Sequence, residues 1–180
     1  SQVHNINEHV RRNYIKDILN ISNDMKYLLI NINKKCKKIS EKIYQCEHIF
    51  VIGKNQSEII ALEGSLKIKE MTYLHAEGYS ASMLKHGPFS LLSKDTYVII
   101  IIPDDKYFPN TYNVLEQIQS RNSPIIIISN KYLEKIDVNN TIIIPKLLKL
   151  QGILNIVPLQ LISYYISILR NINPDFPRNL

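Results

Sequence analysis

Four short apolar runs punctuate the chain, at residues 48–53, 97–102, 125–128 and 142–144. Each is dense in Ile or Val, and none alternates apolar with polar positions. Continuous β-branched runs of this length suit strands covered on both faces, the habit of parallel sheets flanked by helices. Between the runs the spacing turns helical. Residues 25–44 mix Lys-rich with Ile- and Leu-rich positions. Residues 57–73 open on Ser57 as a candidate N-cap, with Glu58 in the first turn. Residues 107–120 and 150–169 also read as helices. A leading amphipathic helix is expected over residues 1–20, and residues 171–180, with Pro174 and Pro177, carry no periodicity. This alternation predicts an α/β protein, a three-layer α/β/α sandwich with a mostly parallel sheet and helices on both faces. The expected organisation is a leading helix or connector over residues 1–22, one domain over 23–170 and a tail over 171–180.

Composition narrows the partners. The 180 residues suffice for one domain with a buried core. The net charge of +6 is thinly spread, and its densest cluster, Lys34, Lys35, Lys37 and Lys38, is expected to be a solvated helix face. Without Trp or an aromatic-rich basic strand, no nucleic-acid partner is expected. Cys36 and Cys46 have neither metal-clasp nor scaffold spacing, so they read as reduced thiols of a cytosolic protein. The apolar runs are far shorter than the ~20 residues of a membrane helix, and the N-terminus lacks a signal-peptide pattern; no membrane partner is expected. No metal or organic cofactor is implied, since neither metal-ligand spacing nor a dinucleotide fingerprint occurs.

Candidate chemistry concentrates after the first run. Gly53-Lys54-Asn55-Gln56-Ser57 reads as a plain strand-to-helix turn more readily than as a phosphate loop. In the following helix Leu62 and Leu66, with Tyr73 and Leu74, are expected to form a buried stripe. Glu63, Lys67 and Glu70 share one helix face; by spacing alone a solvent-facing ladder of ion pairs is the simpler reading. Gly64 costs roughly 1 kcal/mol relative to Ala in a helix, so it is expected to serve close packing or access to the backbone. His86, ahead of the helix-ending Gly87-Pro88, can be a proton shuttle or a cap.

Taken together, Ala61-Leu62-Glu63-Gly64-Ser65-Leu66-Lys67-Ile68-Lys69-Glu70, Tyr73, His75-Ala76-Glu77 and Leu84-Lys85-His86-Gly87-Pro88 resemble the signature of one family. It is the isomerase part of glutamine–fructose-6-phosphate amidotransferase, also called glucosamine-6-phosphate synthase. Val157-Pro158-Leu159-Gln160-Leu161 and Pro177-Arg178-Asn179-Leu180 match in order and distance. The resemblance implies the sugar-isomerase (SIS) fold, and within it the second of two tandem SIS domains behind a glutaminase domain. It implies conversion of fructose 6-phosphate and glutamine to glucosamine 6-phosphate and glutamate, the first step toward UDP-N-acetylglucosamine. Glu70 matches the base that moves a proton between C1 and C2, and His86 the histidine that opens the sugar ring from the neighbouring subunit of a homodimer. Lys67 and Glu63 match substrate-binding residues beside the sugar. The chain departs from the family at Ser82-Met83, where Gly-Glu is usual. The family continues past Pro-Arg-Asn-Leu to an Ala and a Schiff-base Lys, so these 180 residues alone are expected to be inactive. The rival reading is a non-catalytic sugar-phosphate-binding module, which needs neither Glu70 nor His86. A nucleic-acid binder rests on net charge alone.

Overall fold

A computed structural model describes residues 7–133 and 136–179. Its helices are α1 (Glu8–Ile43), α2 (Gln56–Thr72), α3 (Phe108–Gln119) and α4 (Gln151–Leu169). Its strands are β1 (His48–Gly53), β2 (His75–Ser80), β3 (Thr96–Ile101), β4 (Ile125–Ser129) and β5 (Thr141–Ile143). They form one parallel sheet in the order β2-β1-β3-β4-β5. The chain enters at β1, adds β2 on one side and β3, β4 and β5 on the other, so the order reverses direction between β1 and β3.

Alternate residues of the apolar strands feed two cores. Ile49, Val51, Ile99, Ile101, Ile126 and Ile128 face α1, α2 and α4. Phe50, Ile52, Val98, Ile100 and Ile127 face α3 and the turns around Leu84 and Leu92. Both faces of each central strand are therefore dry, which is why these strands read as unbroken apolar runs. The three-layer parallel architecture expected from the alternation is present.

β2 was not foreseen. Its sequence, His-Ala-Glu-Gly-Tyr-Ser, is polar and carries no β-branched residue, and only Ala76 is fully buried. It stands at the sheet's edge, where pairing to β1 supplies a ladder of backbone hydrogen bonds without demanding two dry faces. The two helices expected over residues 1–20 and 25–44 are, from Glu8 onward, one uninterrupted helix; residues 1–6 lie outside the described residues. α2 begins at Gln56 with Asn55 as N-cap, and Ser57 is buried in the first turn instead of capping it.

α4 is long and apolar enough, by length and composition, to cross a membrane, a property the run lengths concealed because Asn155, Gln160, Ser163 and Ser167 interrupt it. It packs instead across α1 and α2, with Leu154, Leu159, Ile162 and Ile166 at 0% exposure. Asp17 of α1, 2% exposed, accepts backbone N–H bonds from Leu148 (3.1 Å), Lys149 (2.5 Å) and Leu150 (2.9 Å) ahead of α4. Burial alone would raise its carboxyl; the three N–H donors, helped by Lys16, outweigh that and hold it below the usual carboxylate range.

Candidate active site

α2 leaves the carboxyl end of β1 and runs back along the sheet to the amino end of β2. Its inward face is made of Ser57, Ala61, Gly64, Ser65, Ile68 and Thr72. Leu62 and Leu66, expected inside, are 51% and 41% exposed. The reason is proximity: a Cβ on Gly78 of β2 would lie 2.7 Å from the Leu62 Cα, and a Cβ on Gly64 would lie 2.3 Å from Leu159 Cδ1 of α4. The helix sits too close to β2 and α4 for large side chains between them. Gly64 thus serves the close packing its sequence position suggested.

The face so oriented carries Glu63, Lys67 and Glu70. Lys67 Nζ donates to Glu70 Oε2 at 2.8 Å and lies 3.7 Å from Glu63 Oε1. All three are half-exposed, open to solvent or to a bound molecule. The Glu70 hydrogen bond, with the charges of Glu70 and Glu63, holds the Lys67 ammonium above its ordinary range against the opposing effect of burial. A carboxylate, an ammonium and a second carboxylate in a row can move a proton and balance the charge that develops.

The helix ends on Tyr73 in the left-handed region, φ 58°, its N–H bonded to the Lys69 carbonyl. The Arg178 backbone N–H donates to the Tyr73 hydroxyl at 2.7 Å, and the Arg178 guanidinium stands 4.1 Å from the Tyr73 ring centroid. The C-terminal tail is therefore clamped one turn beyond Glu70. Sequence reasoning missed this clamp; an aromatic residue at a helix end and an Arg near the chain end gave no signal of meeting. Also unforeseen is the His48–His75 pair, opposite each other in the β1–β2 register with Nδ1 atoms 3.0 Å apart. Glu77 stands 3.4 Å from His75 Nε2 and accepts from the Tyr79 hydroxyl. Burial, then the Glu77 bond and charge, pushes that hydroxyl up to about 12. Burial likewise pushes the free thiols of Cys36 and Cys46 up to about 12 and about 11, so both are poor nucleophiles.

His86 lies elsewhere. It closes a single 3-10 turn, Leu84–His86, after the carboxyl end of β2, and is exposed. Gly87 follows at φ 138°, a conformation that needs glycine. Glu70 sits near the opposite end of the sheet, about 20 Å along α2 from its start at the 1.5 Å rise of an α-helix. Within one chain, then, Glu63, Lys67 and Glu70 are together and His86 is not with them. Among the described residues no group of His, Cys, Asp and Glu could hold a metal ion.

The SIS domain model matches residues 42–170, from the last turn of α1 to the end of α4. The chain belongs to the SIS domain family. Over 172 residues it is 38% identical to a probable glutamine--fructose-6-phosphate aminotransferase (isomerizing) of Schizosaccharomyces pombe, covering 94% of this chain and 25% of that protein. Over 167 residues it is 39% identical to the probable enzyme of the same name from Acanthamoeba polyphaga mimivirus, covering 93% of this chain and 28% of that protein. In structure it resembles the C-terminal domain of glucosamine-fructose-6-phosphate aminotransferase from Francisella tularensis. There the TM-score is 0.81 at 27% identity, over 95% of this chain and 49% of that one. The chain spans about a quarter of the length of the curated relatives it matches.

Proposed function

We propose that this chain is the second SIS domain, residues 23–170 with the tail 171–180, of an isomerising glutamine–fructose-6-phosphate aminotransferase. Residues 1–22 then serve as its leading connector. The substrate is fructose 6-phosphate, the nitrogen comes from glutamine, and the product is glucosamine 6-phosphate. The reading is supported by the family membership, by the names of its relatives, and above all by the Glu63–Lys67–Glu70 row.

In this reading Glu70 is the catalytic base. It takes the proton from C1 of the open-chain imine and returns it to C2, which requires one carboxylate reaching both carbons from one side. Lys67, already hydrogen-bonded to Glu70, stabilises the negative charge that grows on the enolamine. Glu63, on the other side of Lys67, binds the sugar. His86 opens the sugar ring. Its position at the far end of the sheet from Glu70 supports a homodimer in which each His86 serves the neighbouring subunit's site. The Tyr73–Arg178 clamp delivers the C-terminal segment to the Glu70 end of α2. The protein works in the cytosol, in keeping with two free thiols, and these 180 residues alone do not complete the synthase reaction.

Glu70→Gln tests this in the full polypeptide that carries the chain. Removing a positioned general base lowers kcat by about 10²–10⁴-fold while sugar-phosphate binding persists. Unchanged turnover would overturn the assignment in favour of a sugar-phosphate-binding module.

A further inference from the structure

The connection from β2 to β3, residues 81–95, crosses the α3 side of the sheet without forming an α-helix. It makes two 3-10 turns instead, Leu84–His86 and Pro88–Leu91. Three apolar side chains pin it to the core beneath. Leu84 is 0% exposed and Leu92 9%, both in the cluster around Phe50, and Phe89 is half-buried at the edge of that cluster. His86 stands between these pins.

Glu70 and His86 are held in different ways. Glu70 is fixed directly, by the 2.8 Å bond from Lys67. The His86 imidazole has no hydrogen-bond or ion-pair partner among the described residues. Its aim therefore depends on its backbone. The next residue is Gly87 at φ 138°, with open space where a Cβ would stand. Glycine turns more freely than any other residue, so nothing at position 87 itself resists rotation.

The restraint comes from further along the chain. Ser90 donates twice to the Gly87 carbonyl, through its N–H at 2.9 Å and its hydroxyl at 2.7 Å. Phe89, the residue before it, lies against the Arg121 guanidinium, whose central carbon stands 4.1 Å from the ring centroid. A cation this close to an aromatic face is attracted by the ring's negative centre. Arg121 is itself tied to the end of α3. Its Nη1 donates to the Gln117 carbonyl at 2.6 Å and its backbone N–H to the Ile118 carbonyl at 3.0 Å. Among the described residues no carboxylate pairs with this guanidinium. An exposed arginine thus fastens the turn after His86 to a helix.

We propose that Arg121 and Phe89 are positioning residues for His86. This rests on the reading of His86 as the ring-opening group, and it adds how each chain prepares that histidine before presenting it to its neighbour. A loosely held imidazole spends less time in the productive geometry, which lowers turnover without weakening ground-state binding.

Steady-state kinetics of the full polypeptide that carries the chain tests this. Arg121→Gln should lower kcat by about fivefold, the worth of one such contact, with KM for fructose 6-phosphate unchanged. Phe89→Leu, which keeps an apolar pin but removes the ring face, should do the same. Arg121→Lys and Phe89→Tyr, which keep a cation and a ring, should recover most of the loss. In a His86→Asn background Arg121→Gln should have no further effect, because residues that act through one group are not additive. Two results overturn the positioning role alone: a fall in kcat for His86→Asn with none for Arg121→Gln, or an Arg121→Gln loss that is equally large in the His86→Asn background. Unchanged turnover in His86→Asn would instead sink the ring-opening reading, and the positioning role with it.

Discussion

The second half of α1 and the whole of α2 cover the same face of the sheet with opposite side-chain economies. α1 turns Leu28, Ile32, Cys36, Ile39 and Ile43 inward and shows the solvent Lys34, Lys37 and Lys38. α2 turns Ser, Ala, Gly and Thr inward with Ile68 as its one large apolar residue, and leaves Ile59, Leu62 and Leu66 outside. Large side chains hold α1 at a distance from its neighbours; small ones let α2 come within a Cβ's reach of β2 and α4. The close approach fixes the rotation of α2 about its axis and so the direction in which Glu63, Lys67 and Glu70 point.

Breaking the comparison is most costly in α1. Ile39→Ala, at 1% exposure, should lose about 2–5 kcal/mol of stability, because the cavity left behind adds to the lost transfer energy; urea unfolding reads it directly. In β2, Gly78→Ala should cost about 1–3 kcal/mol. The new methyl meets the Leu62 backbone, which cannot swing aside, and the α2 amides should lose hydrogen-exchange protection. A stability equal to wild type would mean that α2 is free to back away from the sheet.

The exposed first half of α1 is held differently, by Asp17. Asp17→Asn should lose about 1–3 kcal/mol at neutral pH, the worth of hydrogen bonds to a charged acceptor. Because the folded state holds this carboxyl below its unfolded value, its contribution is present above about pH 4 and is lost as pH falls through the lower folded pKa. The gap between wild type and Asp17→Asn should therefore close in acid; a gap that widened there would contradict the sign of the shift. The smallest effect belongs to the outer face of α2. Leu66→Ser should change stability by no more than about 0.5 kcal/mol, and matching urea midpoints would show that this leucine, unlike Ile39, carries no part of the core.

How much was legible follows the same division. The four Ile- and Val-rich runs declared four strands, since residues dry on both sides leave no other pattern. β2 stayed hidden because an edge strand can be polar. The spacing 63, 67, 70 placed three charges on one face, and the structure brings them together as ion pairs. The rotation of their helix was misjudged, because Leu62 and Leu66 follow helical periodicity as well on the outside as on the inside.

By itself the sequence determined the layer architecture, the grouping of Glu63, Lys67 and Glu70 and the family to which the chain belongs, all consequences of local periodicity and of motifs short enough to read along the chain. Only the tertiary structure decided that Tyr73 meets Arg178, that Asp17 holds the segment before α4, and that His86 stands at the far end of the sheet from Glu70. Each of these depends on how closely helices approach the sheet and where its edges fall, and those distances are set by packing between residues far apart in the chain.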